Sequence, residues 1–187
     1  MRKKWMAWML AMVCAVGSFS VTTAVEQPVR VEAATKKKAP SLSKVYKAVK
    51  NAYGKNYLPS VALSKEDVKA RYGISSAWYS GVKAEVPLMS AQVDELVIVK
   101  AKNASAKRKI KSALLDYQKA LKKDTMQYPA NQLKIQASRI YVKGNYVCFI
   151  MLGVLDNDTL QQEESKVIAA YRKENAKAVT AIQKLFK

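Results

Sequence analysis

Asp94 and Glu95 stand side by side at the head of an apolar run, and by residue type they are the best candidates in the chain for moving protons. Two carboxyl groups act as an acid–base pair only when both reach one substrate. Neighbouring residues of a strand point to opposite faces, so this pair needs a bulge to converge. The competing expectation is structural: one carboxylate pairs with a lysine or accepts backbone N–H groups. The chain contains no histidine, which removes Ser-His and Cys-His nucleophiles and every imidazole ligand or base.

Asp156-x-Asp158 with Glu163-Glu164 has some of the spacing of a calcium loop, but Gln161 stands where that loop needs glycine and Val167 where it needs an acid. A turn leading into a helix accounts for the same acids, which favour the positive end of the helix dipole. Cys148, inside the apolar run Tyr146-Val147-Cys148-Phe149-Ile150, reads as a core thiol. No glycine-rich phosphate loop and no Gly-x-Ser-x-Gly is present, and Ser41-x-x-Lys44 arises readily by chance in so lysine-rich a chain. No metal or cofactor is expected. Trp78 and Tyr79, with Tyr57 and Tyr72 upstream, either pack in the core or line a recognition groove, which with Tyr128 would be an apolar cleft.

The N-terminus sets where this chemistry operates. Arg2, Lys3 and Lys4 precede an uncharged stretch over residues 5 to 25, followed by Val31-Glu32-Ala33. That order is expected of a secretory signal over residues 1 to 33, cleaved after Ala33, with Thr22-x-Ala24 as a second candidate site. If uncleaved, the stretch becomes a membrane anchor, although Gly17, Ser18 and Ser20 make it a mediocre span. Lipidation at Cys14 is disfavoured because Val13 precedes it, where a small residue is needed. The expected organisation is signal 1 to 33, basic linker 34 to 40 and one α+β domain over 41 to 187. The protein is then secreted or held at the cell surface, with no transmembrane segment after cleavage.

The chain has 33 Lys and Arg against 14 Asp and Glu, a formal charge of +19. Residues 1 to 33 hold four of the bases and two of the acids, which leaves +17 on the remainder. Such a charge draws a protein to polyanions. Outside a membrane these are anionic cell-wall polymers or acidic lipid headgroups. Nucleic acid is not expected, since the aromatics are not interleaved with arginines. The lysines are scattered, a distribution equally natural for a solvated surface.

Ser41 caps a first helix with Leu42, Val45, Tyr46, Val49 and Tyr53 on its apolar face. Ser64-Lys65-Glu66-Asp67 is a capping box, opening a short helix that stops at Gly73. Alternation of Val82, Ala84, Val86 and Leu88 predicts a strand, marked as an edge by Pro87. Residues 96 to 99 are apolar on both faces and belong nearer the centre of a sheet. A helix is predicted over residues 105 to 123, then strands over 135 to 143 and 146 to 154 joined by the turn Gly144-Asn145. A last helix follows Asp156, with Asn175 as a possible break. This order predicts an α+β fold: about four antiparallel strands, helices packed on one face, two N-terminal helices and a long C-terminal helix.

The segment Val93-Asp94-Glu95-Leu96-Val97-Ile98-Val99-Lys100-Ala101, a charged helix, Tyr128-Pro129 and Lys143-Gly144-Asn145-Tyr146-Val147 follow one another in an order that resembles a family of exported Gram-positive proteins, domain of unknown function 4358. The resemblance runs from about Leu42 to about Val154 and includes Tyr72-Gly73-Ile74; Gln118 matches a glutamine of the family's helix. Many members look like lipoproteins, from which the context of Cys14 departs. The resemblance implies a cell-surface location and one α+β domain, and it brings no catalytic residues. Asp94, Glu95, Tyr128, Gly144 and Tyr146 match its motifs, and Gly144 is also explained by its turn.

Three functional readings follow. The first is a non-enzymatic module that associates with the anionic cell envelope through lysine-rich faces. The second is a small-ligand or peptide-binding module, and the third an extracellular enzyme using Asp94 or Glu95 as acid–base group. The sequence sets no oligomeric state.

Overall fold

The first helix forms where its cap and stripe predict, and its position fixes one side of the fold. The structure is a computed structural model that describes residues 39–89 and 91–187; the expected signal and all of the linker before residue 39 lie outside the described residues. Ser41 accepts the Lys44 N–H at 3.2 Å to cap α1, Leu42–Tyr53. Val45, Val49 and Tyr53 are buried along one stripe. Burial of each valine stabilises by about 1.5–3 kcal/mol, so an aspartate at position 49 would undo this contact.

The capping box of α2, Lys65–Tyr72, is complete: Ser64 Oγ accepts the Asp67 N–H at 3.0 Å and the Asp67 carboxylate accepts the Ser64 N–H at 3.1 Å. Gly73, at φ 68°, ends the helix. Helix α3, Ala104–Lys123, is capped by Asn103, and Ala106, Ile110 and Leu114 form its buried face.

The strands are β1 Val61–Ala62, β2 Tyr79–Val86, β3 Glu95–Ala101, β4 Arg139–Lys143 and β5 Tyr146–Met151, in the order β1-β2-β3-β5-β4 with every pairing antiparallel. The central strand is β3, as its two-sided apolar run predicts. The turn Gly144-Asn145 joins β4 to β5, with Gly144 at φ 56°, the left-handed region open to glycine.

The α+β class and the long last helix are as expected, with three differences. The sheet has a fifth strand, because Val61 and Ala62 pair with Val86 and Glu85; two residues are too short a pattern to register as a strand. Helices cover both faces of the sheet rather than one. Val97, Val99, Val147 and Phe149 pack on one side with Tyr72, Ile110 and Leu114, while Leu96, Ile98, Cys148 and Ile150 pack on the other with Val45, Val49 and Ile182. The physical cause is the two-sided hydrophobicity of β3 and β5, which leaves neither face fit for water.

Third, residues 129–137 form helix α4, Pro129–Ala137, where a strand was expected from residue 135. Pro129 at the first helical position and the strong helix formers Ala130, Gln132, Leu133, Lys134 and Gln136 outweigh the β-branched Ile135. Strand β2 stops at Val86, ahead of Pro87, and leaves Leu88 79% exposed. The C-terminal segment is α5, Asn157–Leu160, followed by α6, Glu164–Lys184, and Asn175 does not break it. Asn175 is fully buried: its Oδ1 accepts the Leu152 N–H and its amide donates to the Ala137 carbonyl, both at 2.9 Å. No helix among the described residues is long and apolar enough to cross a membrane.

Candidate functional site

Glu95 opens β3 and is 1% exposed, at the level where α2 and α3 converge on the sheet. Burying a carboxylate is tolerable only when its oxygens are hydrogen-bonded or paired, and Glu95 has three donors. Tyr72 donates its hydroxyl to Oε1 in a short bond, Tyr117 donates to Oε2 at 2.9 Å, and Arg71 Nη2 donates to Oε2 at 3.2 Å. The rings of Tyr72 and Tyr117 meet edge to face at 4.8 Å, and the Arg71 guanidinium lies 5.9 and 5.7 Å from their centroids. Burial pushes both phenols well above their ordinary pKa, and the neighbouring Glu95 charge raises them further. Burial works against the Arg71 charge, but Glu95 and the two tyrosines outweigh it and raise its pKa.

Two members of this cluster, Arg71 and Glu95, line a cleft of about 350 Å³, a volume suited to a small ligand. Arg71 and Glu95 contribute the polar end; Val86, Leu88, Met89, Val93, Leu121 and Met151 contribute apolar walls. At the mouth Leu88 and Met89 are 79% and 58% exposed, and Met126 and Tyr128, on either side of the lining residue Gln127, are also exposed. The Asn131 amide donates to the Ala91 carbonyl at 2.9 Å and ties α4 to the loop before β3. Among the described residues the guanidinium donates to Glu95 and is also hydrogen-bonded to Tyr117; with the Arg71 side chain 46% exposed, the rest of its five N–H donors are left for a guest.

Asp94 lies on the opposite side of the sheet. Its Oδ2 accepts from Lys134 Nζ at 2.5 Å and its Oδ1 from the Gly153 N–H at 3.3 Å. Asp94 and Lys134 are 2% and 6% exposed, and the Lys134 ammonium also lies 5.4 Å from the Tyr171 ring centroid. Burial drives the Asp94 carboxyl up against the pull of Lys134, and the Lys134 ammonium down against the pull of Asp94. The pair fastens α4 and the segment after β5 to the start of β3. The strand alternation thus separates the two acids, which share no substrate-sized space.

The expected cleft of Trp78, Tyr79 and Tyr128 is not assembled. Tyr79 pairs with Ala101, at the far end of β3 from Glu95, about 20 Å away at strand rise. The Trp78 ring carries the Lys109 ammonium at 5.6 Å. Tyr79 is buried, and its hydroxyl has no hydrogen-bond partner among the described residues. Tyr128 is 66% exposed at the start of α4, beside the mouth of the Glu95 cleft. Tyr146 is buried against Phe186 and donates its hydroxyl to the Pro40 carbonyl at 2.6 Å, a packing role.

Arg71, Tyr117 and Lys134 escape sequence reasoning because their partners are 24, 22 and 40 residues away. Their only local sign is an arginine beside a tyrosine in the last turn of a short helix. Gln118 has a structural use, donating to the Ser138 carbonyl and hydroxyl at 2.8 and 3.0 Å and so joining α3 to the start of β4. Among the described residues no three His, Cys, Asp or Glu side chains are grouped to hold a metal ion.

Comparison with the curated proteins and with the solved structures finds no match to either. A family model described as Domain of unknown function (DUF4358) matches residues 52–152, more than half of the chain. The matched stretch contains Arg71, Tyr72, Glu95 and Tyr117, together with every wall of the cleft. The chain belongs to this family, Domain of unknown function (DUF4358).

Proposed function

We propose that the protein is an exported, non-enzymatic binding module of the cell envelope, whose cleft receives a small ligand or peptide that joins an anionic group to an apolar body. One observation carries the reading: Glu95, buried and triply hydrogen-bonded, holds the half-exposed Arg71 in the lining of a cleft with apolar walls. An arginine fixed in this way presents its remaining donors as a fork, the geometry that suits a carboxylate or phosphate. Preorganisation of the fork lowers the entropy cost of binding. The exposed Leu88 and Met89 at the mouth offer contact to an apolar body.

Use of Glu95 as an acid–base group is disfavoured by the same geometry. Oε1 is taken by Tyr72 and Oε2 by both Tyr117 and Arg71, so proton exchange with a substrate would break the cluster. The test is calorimetric titration of the full chain with a short apolar peptide bearing a free C-terminal carboxylate, and with the same peptide as its amide. The carboxylate form is expected to bind about tenfold to a hundredfold more tightly, the worth of a hydrogen bond to a charged group. Equal affinities would remove the reading.

A further inference from the structure

A second surface, outside the matched family stretch apart from Ala52, has the opposite character to the cleft. Helices α1 and α6 run beside each other and leave a groove of about 660 Å³ with a floor of small side chains, among them Ala48, Ala52, Ala176 and Ala181. A second hollow of about 430 Å³ shares Ala48, Asn51 and Leu185 with it and extends it toward Ser41. The walls are cationic on both sides: Lys44 and Lys47 on α1, Lys173, Lys177 and Lys184 on α6, all exposed. Helix α1 contains no acid. On the stretch of α6 that lines the groove, Glu174 is the one acid near these lysines, paired with Lys177 at 2.7 Å. The α6 lysines span about 16 Å along the helix axis, so the positive charge follows the length of the groove.

We infer that this groove is a binding site for a linear polyphosphodiester, the chemistry of an anionic wall polymer. Lysine ammonium groups serve phosphates as point charges and need no fixed orientation, which suits a flexible chain. The small floor lets a strand lie between the helices, close to both rows of cations. A bilayer fits less well, because a membrane-binding surface sets large apolar side chains among its cations. The exposed ones here, Leu88, Met89, Met126 and Tyr128 among them, all lie outside α1 and α6. Single-stranded nucleic acid would need aromatic faces for its bases; on these two helices Tyr53 and Tyr171 are buried, and the half-buried Tyr46 lies outside the groove lining with its hydroxyl donated to Glu85 at 2.6 Å. The site goes beyond the cleft reading and shares with it only the expectation of export, which decides where such a polymer is met.

The test uses the full chain and long-chain inorganic polyphosphate as probe, with the salt dependence of affinity as readout. The triple variant Lys173→Gln, Lys177→Gln, Lys184→Gln is compared with Lys111→Gln, Lys119→Gln, Lys123→Gln, which removes the same charge from exposed positions of α3. The groove variant is expected to bind at least about tenfold more weakly and to flatten the salt slope by about 2, and the α3 variant to change affinity less than about threefold. Equal losses in both variants would overturn the inference in favour of diffuse charge. Tighter binding of phosphatidylglycerol vesicles or of oligo-dT, lost in the groove variant, would overturn it in favour of a membrane or nucleic acid. Circular dichroism of each variant serves as the folding control, and peptide titration at Arg71, run separately, distinguishes failure of the groove from failure of the cleft.

Discussion

Arg71 and Glu95 form an asymmetric ion pair: Nη2 lies 3.2 Å from Oε2, with the arginine side chain 46% exposed and the glutamate 2% exposed. The two ends therefore have different duties. Glu95 is bonded on every side and belongs to the fold, whereas Arg71 is fixed by Glu95 but opens onto the cleft. A pair with one wet end is screened and contributes little stability by attraction alone; its value is the fixed position of the guanidinium.

Glu95→Ala should be the more damaging of the two truncations. It leaves the buried hydroxyls of Tyr72 and Tyr117 without an acceptor, at about 1–3 kcal/mol each, so a loss of about 3–5 kcal/mol is expected. Arg71→Ala should cost about 1–2 kcal/mol, because both phenols still solvate the carboxylate. Urea unfolding of the two variants measures this. A larger loss for Arg71→Ala would reverse the assignment of duties.

Tyr79→Phe should leave stability unchanged or raise it by about 1 kcal/mol. The hydroxyl is buried with no partner among the described residues, and removing an unsatisfied polar group recovers its desolvation cost. Thermal melting of the variant decides the matter, and a marked drop in Tm would mean that the hydroxyl is bonded in solution.

The tyrosines supply a pH test. Burial first, then the Glu95 charge, raises Tyr72 and Tyr117 above the ordinary phenol value of about 10. Above that pH the unfolded chain gives up protons that the folded chain keeps. Stability is therefore complete below pH 10 and falls as pH rises beyond it. Absorbance titration of phenolate, run beside far-ultraviolet circular dichroism, should show a subset of the ten tyrosines ionising only as the fold is lost. Ionisation of all of them near pH 10 with secondary structure intact would refute the buried cluster.

Gly153→Ala should disrupt the Asp94 side of the sheet. Gly153 has φ 119°, and a Cβ there would meet Glu174 Cβ at 2.4 Å. Relief of that clash would move the N–H that bonds Asp94. A cost of more than about 3 kcal/mol is expected from strain plus the disturbed buried pair. Chemical denaturation gives the value, and a near-neutral result would show that α6 yields easily at Glu174.

Local signals in this sequence were readable in proportion to how local they are. The Ser41 cap, the Ser64–Asp67 box and the Gly144-Asn145 turn each act within four residues, and each is found where its chemistry puts it. Helix α4 was hidden because Ile135 and the β-branched residues after it mask a helix that Pro129 begins. The two-sided burial of the sheet was visible in β3 and β5, yet the helix order alone suggested one covered face. Of the candidate residues, Glu95 reached a cleft and Asp94 did not, as strand alternation requires. Arg71, which gives the cleft its charge, was invisible because only the packing of α2 on α3 brings it to Glu95.

The most direct test of the binding account is calorimetric titration of Arg71→Gln, alongside the unsubstituted chain, with the apolar peptide that carries a free carboxylate. The variant is expected to stay folded by circular dichroism, to bind the carboxylate peptide at least about tenfold more weakly, and to bind the amidated peptide as the unsubstituted chain does, since the lost bond is to a charged group. An unchanged affinity of the folded variant for the carboxylate peptide would contradict the account.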